Sequence, residues 1–318
     1  MKNKSSNKNL HKAHIAKNDE FYTQLSDIEK ELGYYEEHFK NKTIFCNCDD
    51  PRVSNFFHYF SYNFENLGLK KLITTCYKNQ DVNLFSQNIS EKGLYLEYTG
   101  DKNKNRIPDS SEIGKKHLKG SGDFRSLECI ELLKQADIVV TNPPFSLFRE
   151  YVAQLMEYEK KFIIIGNMNA ITYKEIFKFI KNDKIWLGNC PRGMNFKTNN
   201  GSIINVNATW FTNLEFKKRY EYLILYKTYN KKDYPKYDNY DAINVDKVKD
   251  IPMDYKGAMG VPITFLDKYN PEQFEILGNS NVRGEREHLM NNVKSATDCT
   301  YINGKPQFAR ILIKNKKL

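Results

Sequence analysis

The residues Asn142-Pro143-Pro144-Phe145 have side chains that could hold a planar amino group. They directly follow an apolar run over 137–141 that predicts a buried strand. Proline fixes φ and has no N–H donor, so the Asn142 side-chain oxygen and the Pro143 carbonyl form a rigid pair of acceptors, which suits an amine. Phe145 adds an aromatic face for a planar ring. A proline-rich turn capped by asparagine fits the same residues, and the local pattern leaves both interpretations open.

The elements around this loop alternate between strand and helix. Short apolar runs predict buried strands at 43–46, 71–77, 94–98, 137–141 and 161–166. Helix-like spacing predicts helices at 125–135, 147–158 and 173–180, the last with Thr172 as its N-cap. Such alternation implies an α/β fold with a parallel, doubly wound sheet. Because the carboxyl ends of strands line the ligand crevice of these sheets, Asn142 should face bound substrate.

Patterns on either side of this core predict how the sheet is bounded. Ser26 and Glu29 have the spacing of a capping box, and apolar residues continue at intervals of three and four, so one amphipathic helix is predicted to about Phe39. Residues 202–212 and 221–227 are β-rich and predict an antiparallel pair that closes one edge of the sheet. A last strand is predicted at 308–314.

Composition narrows the choice of partners. The chain of 318 residues has a net charge of +10, which favours a polyanion such as nucleic acid, although an anionic membrane surface would also attract it. No apolar stretch is long enough to span a bilayer, and the first residues lack the apolar core of a signal peptide, which indicates a cytoplasmic protein. The six cysteines lack the spacing of a zinc site, so no metal site is expected.

The four residues 142–145 resemble the (D/N/S)PP(Y/F) motif of amino-methyltransferases, in the form common among N6-adenine enzymes. Segments at 18–24, 48–52 and 260–265 resemble the EcoRI-type adenine DNA methyltransferases, and the similarity runs over most of the chain. The resemblance implies a Rossmann-like class I methyltransferase fold with a mixed, doubly wound sheet and an antiparallel edge pair. It also implies a catalytic loop in which Asn142 and Pro143 accept hydrogen bonds from adenine N6, with Pro144 and Phe145 completing the motif.

The same resemblance implies that S-adenosyl-L-methionine is the cofactor and that three segments bind it. These are the Phe-Tyr-Thr segment, the acidic-proline segment after the first strand, and the Gly-Asp-Phe segment before the catalytic strand, with the candidate contacts Tyr22, Thr23, Asp49, Asp50, Pro51, Asp123 and Phe124. Residues 52–56 lack the glycines that many relatives carry there. Read without the resemblance, the segments are a helix lead-in, a helix N-cap and a turn.

The predicted domains are a flexible basic arm over 1–18, a methyltransferase domain over 19–228 and a DNA target-recognition region over 229–318. The candidate DNA contacts in the last region are Arg283, Arg286, Lys294 and Arg310. If duplex DNA is the substrate, the target adenine must flip out of the helix, and a monomer is expected because each strand of a palindrome can be methylated separately. The resemblance implies a restriction-modification enzyme, which acts either with a separate endonuclease or alone, and makes a palindrome such as GAATTC the first target to test. Methylation of RNA adenine or of protein glutamine, and silent nucleic-acid binding, remain alternatives.

Overall fold

The computed structural model describes residues 22–48, 54–76, 93–105, 108–109, 111–190, 192–197, 202–280 and 300–318. The predicted basic arm over 1–18 lies outside these residues. The chain forms two compact units, one of residues 1–168 and 190–214 and the other of 169–189 and 215–318. The second unit therefore takes in residues 215–228, which the sequence assigns to the methyltransferase domain.

The first unit is built on a mixed sheet. The strands of the first unit, numbered along the whole chain, are β1 (Tyr22–Thr23), β2 (Thr43–Asn47), β3 (Lys71–Cys76), β4 (Leu94–Tyr98), β5 (Gly114–His117), β6 (Ile138–Thr141), β7 (Lys161–Asn167), β9 (Met194–Lys197), β10 (Ile203–Val206) and β11 (Ala208–Thr212). Strand β8 (Trp186–Leu187) belongs to the second unit, and β1, β9 and β10 form a separate small sheet. Within the first unit the main sheet has the order β5-β4-β3-β2-β6-β7-β11. Strands β3, β2, β6 and β7 are mutually parallel, and β11 is antiparallel to β7.

This arrangement confirms the mixed α/β class and is that of a class I methyltransferase fold. The direction of β4 differs from the parallel sheet that the alternation predicts, because β4 runs antiparallel to β3, whereas β5, antiparallel to β4, runs parallel to β3 again. An apolar run specifies burial but carries no information on direction, so this reversal is not visible in the sequence. The core lies along β7 and its neighbours, where residues 162–165 are fully buried.

The predicted antiparallel edge pair is wrong in its second member. Residues 202–212 form two strands, of which β10 pairs with β9 and β11 pairs with β7. Residues 221–227 form no strand, apart from one isolated bridge between Lys227 and Pro252. The Gln273 side chain accepts a hydrogen bond from Leu223 N–H (2.7 Å) and donates one to Leu223 C=O (2.9 Å), so the backbone is satisfied there without a partner strand.

The helices of the first unit are α1 (Leu25–Leu32), α2 (Glu36–Phe39), α3 (Asn55–Tyr62), α4 (Leu127–Gln135) and α5 (Phe148–Glu157). The single helix predicted up to Phe39 is wrong, because the chain leaves α1 at Gly33, a poor helix former, and α2 begins three residues later. The predicted capping box is also wrong: Gln24 is the N-cap, and Ser26 lies inside the helix. Ser54 and Ser126 are true N-caps whose hydroxyls accept N–H hydrogen bonds at the starts of α3 and α4.

The second unit has its own sheet. Its further elements are α6 (Lys174–Lys181), β12 (Ala242–Asn244), β13 (Ala258–Pro262), β14 (Phe274–Asn279), β15 (Tyr301–Ile302), β16 (Lys305–Pro306) and β17 (Arg310–Asn315), and four of the strands pair in the order β12-β13-β17-β14. The predicted last strand is confirmed as β17. Helix α6 packs on β14, but its N-cap is Tyr173, because the Thr172 hydroxyl donates to Asn169 C=O (2.7 Å) instead.

Candidate active site

The loop predicted to be catalytic leaves the carboxyl end of β6. Asn142 is 8% exposed, so its amide group is held in the protein rather than projecting into solvent. Pro143 is buried, whereas Pro144 and Phe145 are partly exposed. A short 3-10 helix over Phe145–Leu147, closed by a hydrogen bond from Leu147 N–H to Pro144 C=O (3.0 Å), leads directly into α5. The loop is therefore fixed at both ends, by β6 before it and α5 after it.

Two hydrogen bonds tie this loop to the end of β2. The Thr141 hydroxyl donates to the backbone carbonyl of Asn47, and the Tyr151 hydroxyl donates to the Asn47 side-chain oxygen. Asn47 is 4% exposed and Tyr151 is fully buried. Burial raises the pKa of Tyr151 well above its ordinary value, so the phenol stays protonated and remains a donor. Neither Asn47 nor Tyr151 stands out in the sequence, because 104 residues separate them along the chain.

A second, smaller sheet brings Thr23 close to the same loop. Strand β1 pairs antiparallel with β9, with Thr23 opposite Phe196. The Phe196 ring meets the Phe145 ring edge to face, with centroids 6.3 Å apart. Asn55 at the start of α3 donates to Thr23 C=O (2.7 Å), which fixes the β1 backbone. Thr23 is thus connected to the loop 142–145 through its strand partner Phe196, and the β1 backbone of Tyr22 lies opposite Lys197.

The Thr23 hydroxyl is buried and makes no hydrogen bond within the described residues. Thr23 is 3% exposed, and within the described residues its Oγ1 has no hydrogen-bond partner. Leaving a buried hydroxyl unsatisfied costs about 1–3 kcal/mol, so such atoms in native proteins call for an explanation. A polar ligand group beside the loop would supply the missing hydrogen bond.

The Gly122-Asp123-Phe124 segment also reaches the end of β2, through Tyr151. Phe124 is buried and packs edge to face on the Tyr151 ring, with centroids 5.1 Å apart. Gly122 has φ +81°, a conformation that glycine adopts at little cost. Asp123 is bound by the Arg125 guanidinium through both oxygens (3.0 and 2.8 Å), and this interaction lowers the pKa of Asp123. Asp123 is therefore a carboxylate at neutral pH, with lone pairs left to accept a further hydrogen bond.

Helix α5, which follows the loop, is anchored by close packing on β7. Phe148 is 1% exposed, and its ring meets the Phe211 ring with centroids 5.0 Å apart. Gly166 leaves room for both rings, because a Cβ atom there would lie 2.5 Å from Phe148 and 2.9 Å from Phe211. The absence of a side chain at Gly166 therefore allows Phe148, the first residue of α5, to pack closely against β7.

Other candidate residues are placed differently or lie outside the described residues. Asp49, Asp50, Pro51, Arg283, Arg286 and Lys294 fall outside them. The Arg310 side chain is 11% exposed, and its guanidinium donates to Asn244 Oδ1 (3.2 Å) and pairs with Asp246 (3.7 Å), so its charge is already engaged within the second unit. In the part of the chain that the structure describes, no helix is both long and apolar enough to cross a membrane.

Comparison with known proteins places the chain in a family. The family described as "Adenine-specific methyltransferase EcoRI" matches residues 9–202 and 196–316. The chain is 51% identical over 338 aligned positions to "Type II methyltransferase M.EcoRI" of Escherichia coli, covering 100% of this chain and 99% of that protein. It is 41% identical to "Type II methyltransferase M.MgeORF184P" of Mycoplasma genitalium, with 97% of this chain and 99% of that protein covered.

A further relative, "Type II methyltransferase M.MpnI" of Mycoplasma pneumoniae, is 37% identical over 97% of this chain and 98% of that protein. No solved structure matches the chain significantly. The family match runs along nearly the whole chain and includes both the loop at the end of β6 and the sheet that carries it. The chain therefore belongs to the EcoRI family of adenine-specific methyltransferases.

Proposed function

We propose that this protein transfers the methyl group of S-adenosylmethionine to the N6 amine of an adenine in double-stranded DNA, as the modification enzyme of a restriction-modification system. The observation that carries the proposal is the placement of Asn142 and Pro143 at the carboxyl end of β6, in a member of an adenine-specific methyltransferase family. The ends of parallel strands are where such sheets bind their ligands.

The loop acts by positioning and polarising the amine. The Asn142 side-chain oxygen and the Pro143 carbonyl accept hydrogen bonds from the two N6 hydrogens, which turns the nitrogen lone pair away from the adenine ring and toward the methyl group. S-adenosylmethionine supplies a methyl carbon attached to a positively charged sulfur. With the cofactor bound, the loop would direct the amine nitrogen at that carbon, so that an N–C bond would form as the C–S bond breaks with its electron pair going to sulfur, and the nitrogen would then lose a proton to water. Because the proton leaves after transfer, the loop needs no strong general base.

Two features of the first unit fit the cofactor. The buried Thr23 Oγ1 has no hydrogen-bond partner within the described residues and would hydrogen-bond the methionine end. Asp123, kept ionised by Arg125, would accept a hydrogen bond from the cofactor adenine amine. The neighbouring Phe124 offers its ring for contact. Tyr22, Asp49, Asp50 and Pro51 complete the proposed set on the basis of the family resemblance.

The target adenine must leave the DNA helix, because N6 within a stacked base pair cannot reach the methyl group. Phe145, partly exposed and braced by Phe196, provides a face on which the extruded ring can stack. The net charge of +10 favours binding to the DNA backbone. Arg283, Arg286 and Lys294 are the proposed DNA contacts, whereas the ion pair of Arg310 with Asp246 favours a role in holding β17.

The protein is proposed to act as a monomer, since the two strands of a palindrome can be methylated in separate events, and to need no stable complex with an endonuclease. The substrate assignment is tested by transfer of labelled methyl from S-adenosylmethionine to four acceptors offered together. These are a GAATTC duplex, a duplex of the same composition in scrambled order, the matching RNA, and a protein extract, each digested and separated afterwards.

Label in N6-methyladenine from duplex DNA is the expected result. Preference for GAATTC over the scrambled duplex would extend the proposal to the target sequence, whereas equal labelling would retain the reaction and reject that target. Label confined to RNA or to glutamine would overturn the DNA assignment. Absence of both transfer and cofactor binding would leave a silent nucleic-acid binder.

A further inference from the structure

The segment between β4 and β5 carries oxygen-bearing side chains at regular positions. In the sequence Asp-Lys-Asn-Lys-Asn-Arg-Ile-Pro-Asp-Ser-Ser-Glu, which begins at Asp101, oxygen ligands stand at the first, third, fifth, ninth and twelfth positions. Calcium-binding loops of the D-x-[DN]-x-[DN] type use these positions, with the last filled by a bidentate glutamate. Arg106 stands where such loops usually have glycine, and strands rather than helices flank this loop.

The glutamate at the twelfth position has a buried oxygen with no partner. Glu112 is 7% exposed, and its Oε1 accepts hydrogen bonds from the backbone N–H groups of Lys102 (2.6 Å) and Asn103 (3.0 Å). The start of the loop therefore wraps around this carboxylate. Its second oxygen, Oε2, is buried and makes no hydrogen bond to any part of the chain that the structure describes. Burying a carboxylate oxygen without compensation is costly, and a bound cation would supply that compensation.

The other four side chains are already connected to one another. Asn105 N–H donates to Asp101 Oδ1 (3.2 Å) and to Asn103 Oδ1 (2.9 Å). The Asn103 amide donates to Asp109 Oδ2 (2.7 Å) and the Asn105 amide to the same atom (3.3 Å). These contacts hold two carboxylates and two amides together in one short segment, separate from the loop after β6.

The described residues contain no group of three or more His, Cys, Asp or Glu side chains arranged as metal ligands. Cation binding would therefore need Asp101, Asp109 and Glu112 to move closer together. It would also need the amides of Asn103 and Asn105 to turn their oxygens, instead of their NH2 groups, toward the position that Asp109 faces. A half-turn of the terminal torsion achieves this, since each amide carries one acceptor and one donor group. Oxygen ligands of this mixed kind suit Ca²⁺, whose coordination is large and flexible, more than Mg²⁺, which demands a strict octahedron.

We propose that Asp101, Asn103, Asn105, Asp109 and Glu112 bind one Ca²⁺ ion between β4 and β5, with Glu112 Oε2 facing the ion. The cation ties β4 to β5 at one edge of the main sheet and has a structural role. Lys102 and Lys104 point into solvent at positions that carry no ligand in such loops, and their charges weaken the site. A Kd of about 10⁻⁴ M is expected, in the range of weak calcium sites.

The test is a titration of the full-length, chelator-treated protein with Ca²⁺ by calorimetry, repeated with Mg²⁺ and with Tb³⁺ as a luminescent substitute. The expected result is one Ca²⁺ per chain, at least tenfold weaker binding of Mg²⁺, and displacement of Tb³⁺ by Ca²⁺. Thermal unfolding should shift upward by about 4 °C at about 10 mM Ca²⁺. Absence of Ca²⁺ binding, or equal binding of Mg²⁺, would overturn the proposal.

Two variants and one control locate the site. Glu112→Gln and Asp109→Asn each remove one ligand charge while keeping shape, and each should weaken Ca²⁺ binding by at least tenfold. Asp109 is more exposed than Glu112, so its variant keeps the test valid should Glu112→Gln fail to fold. Glu131→Gln, which makes the same charge change on the exposed face of α4, should bind Ca²⁺ as the wild type does. Equal binding by all three variants would place the ion elsewhere and reject the site.

Discussion

The Tyr151 hydroxyl donates a hydrogen bond to the side-chain oxygen of Asn47, and both residues are buried. Tyr151 belongs to the helix that follows the catalytic loop, whereas Asn47 is the last residue of β2. This hydrogen bond therefore ties the helix that follows the loop 142–145 to the end of β2, directly before the proposed cofactor segment. Phe124 packs on the same tyrosine ring and brings the third segment to the same point.

Removing this hydroxyl should cost stability and cofactor affinity together. In Tyr151→Phe, the Asn47 oxygen loses its buried donor, and we expect the free energy of unfolding to fall by about 1–3 kcal/mol. The KM for S-adenosylmethionine should rise, because the Asn47 side chain at the end of β2 loses one of the two hydrogen bonds that hold this residue. Urea unfolding and initial-rate kinetics measure the two effects. Tyr62→Phe, at a side chain that is 60% exposed, serves as the control and should change neither quantity. A Tyr151→Phe protein with wild-type stability and KM would show that the bond has no such role.

Thr23→Val should separate cofactor binding from stability. Because Thr23 Oγ1 has no hydrogen-bond partner within the described residues, its replacement by a methyl group should leave the ligand-free protein as stable as the wild type or more so. Affinity for S-adenosylmethionine should fall by about tenfold, since the hydroxyl would donate to or accept from the cofactor. Calorimetric titration and thermal unfolding measure the two properties.

The matched control for this variant is Thr212→Val. The Thr212 hydroxyl donates to Phe162 C=O (2.7 Å) and accepts from Leu214 N–H (3.0 Å), so its loss should destabilise the protein by about 1–3 kcal/mol without weakening cofactor binding in the folded state. Unchanged cofactor affinity in Thr23→Val would remove Thr23 from the proposed site.

Gly166→Ala tests the packing that positions helix α5. The new Cβ would lie 2.5 Å from the Phe148 ring, so the ring or the helix must move, and overpacking of this kind costs about 1–3 kcal/mol. We expect a lower free energy of unfolding and a lower kcat, because the loop before α5 shifts with it. The double variant Gly166→Ala/Phe148→Leu should recover part of the lost stability. Additive losses in the double variant would indicate that the two residues do not clash.

Lowering the pH should reduce the free energy of unfolding, in part because Asp123 becomes protonated. Arg125 lowers the pKa of Asp123, so the folded protein binds a proton there less readily than the unfolded chain does. The resulting stabilisation is complete above the ordinary Asp pKa of about 3.9 and is lost as the pH falls through the lowered value. In Arg125→Gln the pKa should return toward the ordinary value and this stabilisation should disappear. Carboxyl NMR titration of both proteins measures the change, and an identical Asp123 titration in both would contradict it.

The sequence predicts what depends on local pattern and misses what depends on distant contacts. Apolar runs locate β2, β3, β4, β6 and β7 to within a residue or two, because burial leaves its mark on every position. The fully exposed β5 carries no such mark and is missed. The end of the helix at Gly33 is missed because the apolar spacing continues across it. The strand predicted at 221–227 does not form, because the side chain of Gln273, about 50 residues later, makes the hydrogen bonds of the Leu223 backbone.

In the candidate site, too, the sequence predicts residues in local motifs and misses residues that meet only in the fold. The loop of the candidate site is recognisable because the four residues 142–145 are contiguous. Thr23 and Phe124 are predicted from short segments that resemble those of the family. Asn47 and Tyr151 could not be found this way, because their role arises from one contact between residues that are far apart along the chain. The unsatisfied oxygens of Thr23 and Glu112 likewise become visible only when burial is known.

The central claim is that Asn142 activates the target amine, and single-turnover methyl transfer by Asn142→Ala tests it most directly. Enzyme saturated with labelled S-adenosylmethionine is mixed with duplex DNA, and the formation of N6-methyladenine is followed in time, with cofactor binding measured on the same preparations. For Asn142→Ala we expect a transfer rate about 10²–10³-fold below that of the wild type, with cofactor affinity unchanged within about twofold. If Asn142→Ala binds the cofactor and methylates adenine at the wild-type rate, Asn142 does not activate the target amine.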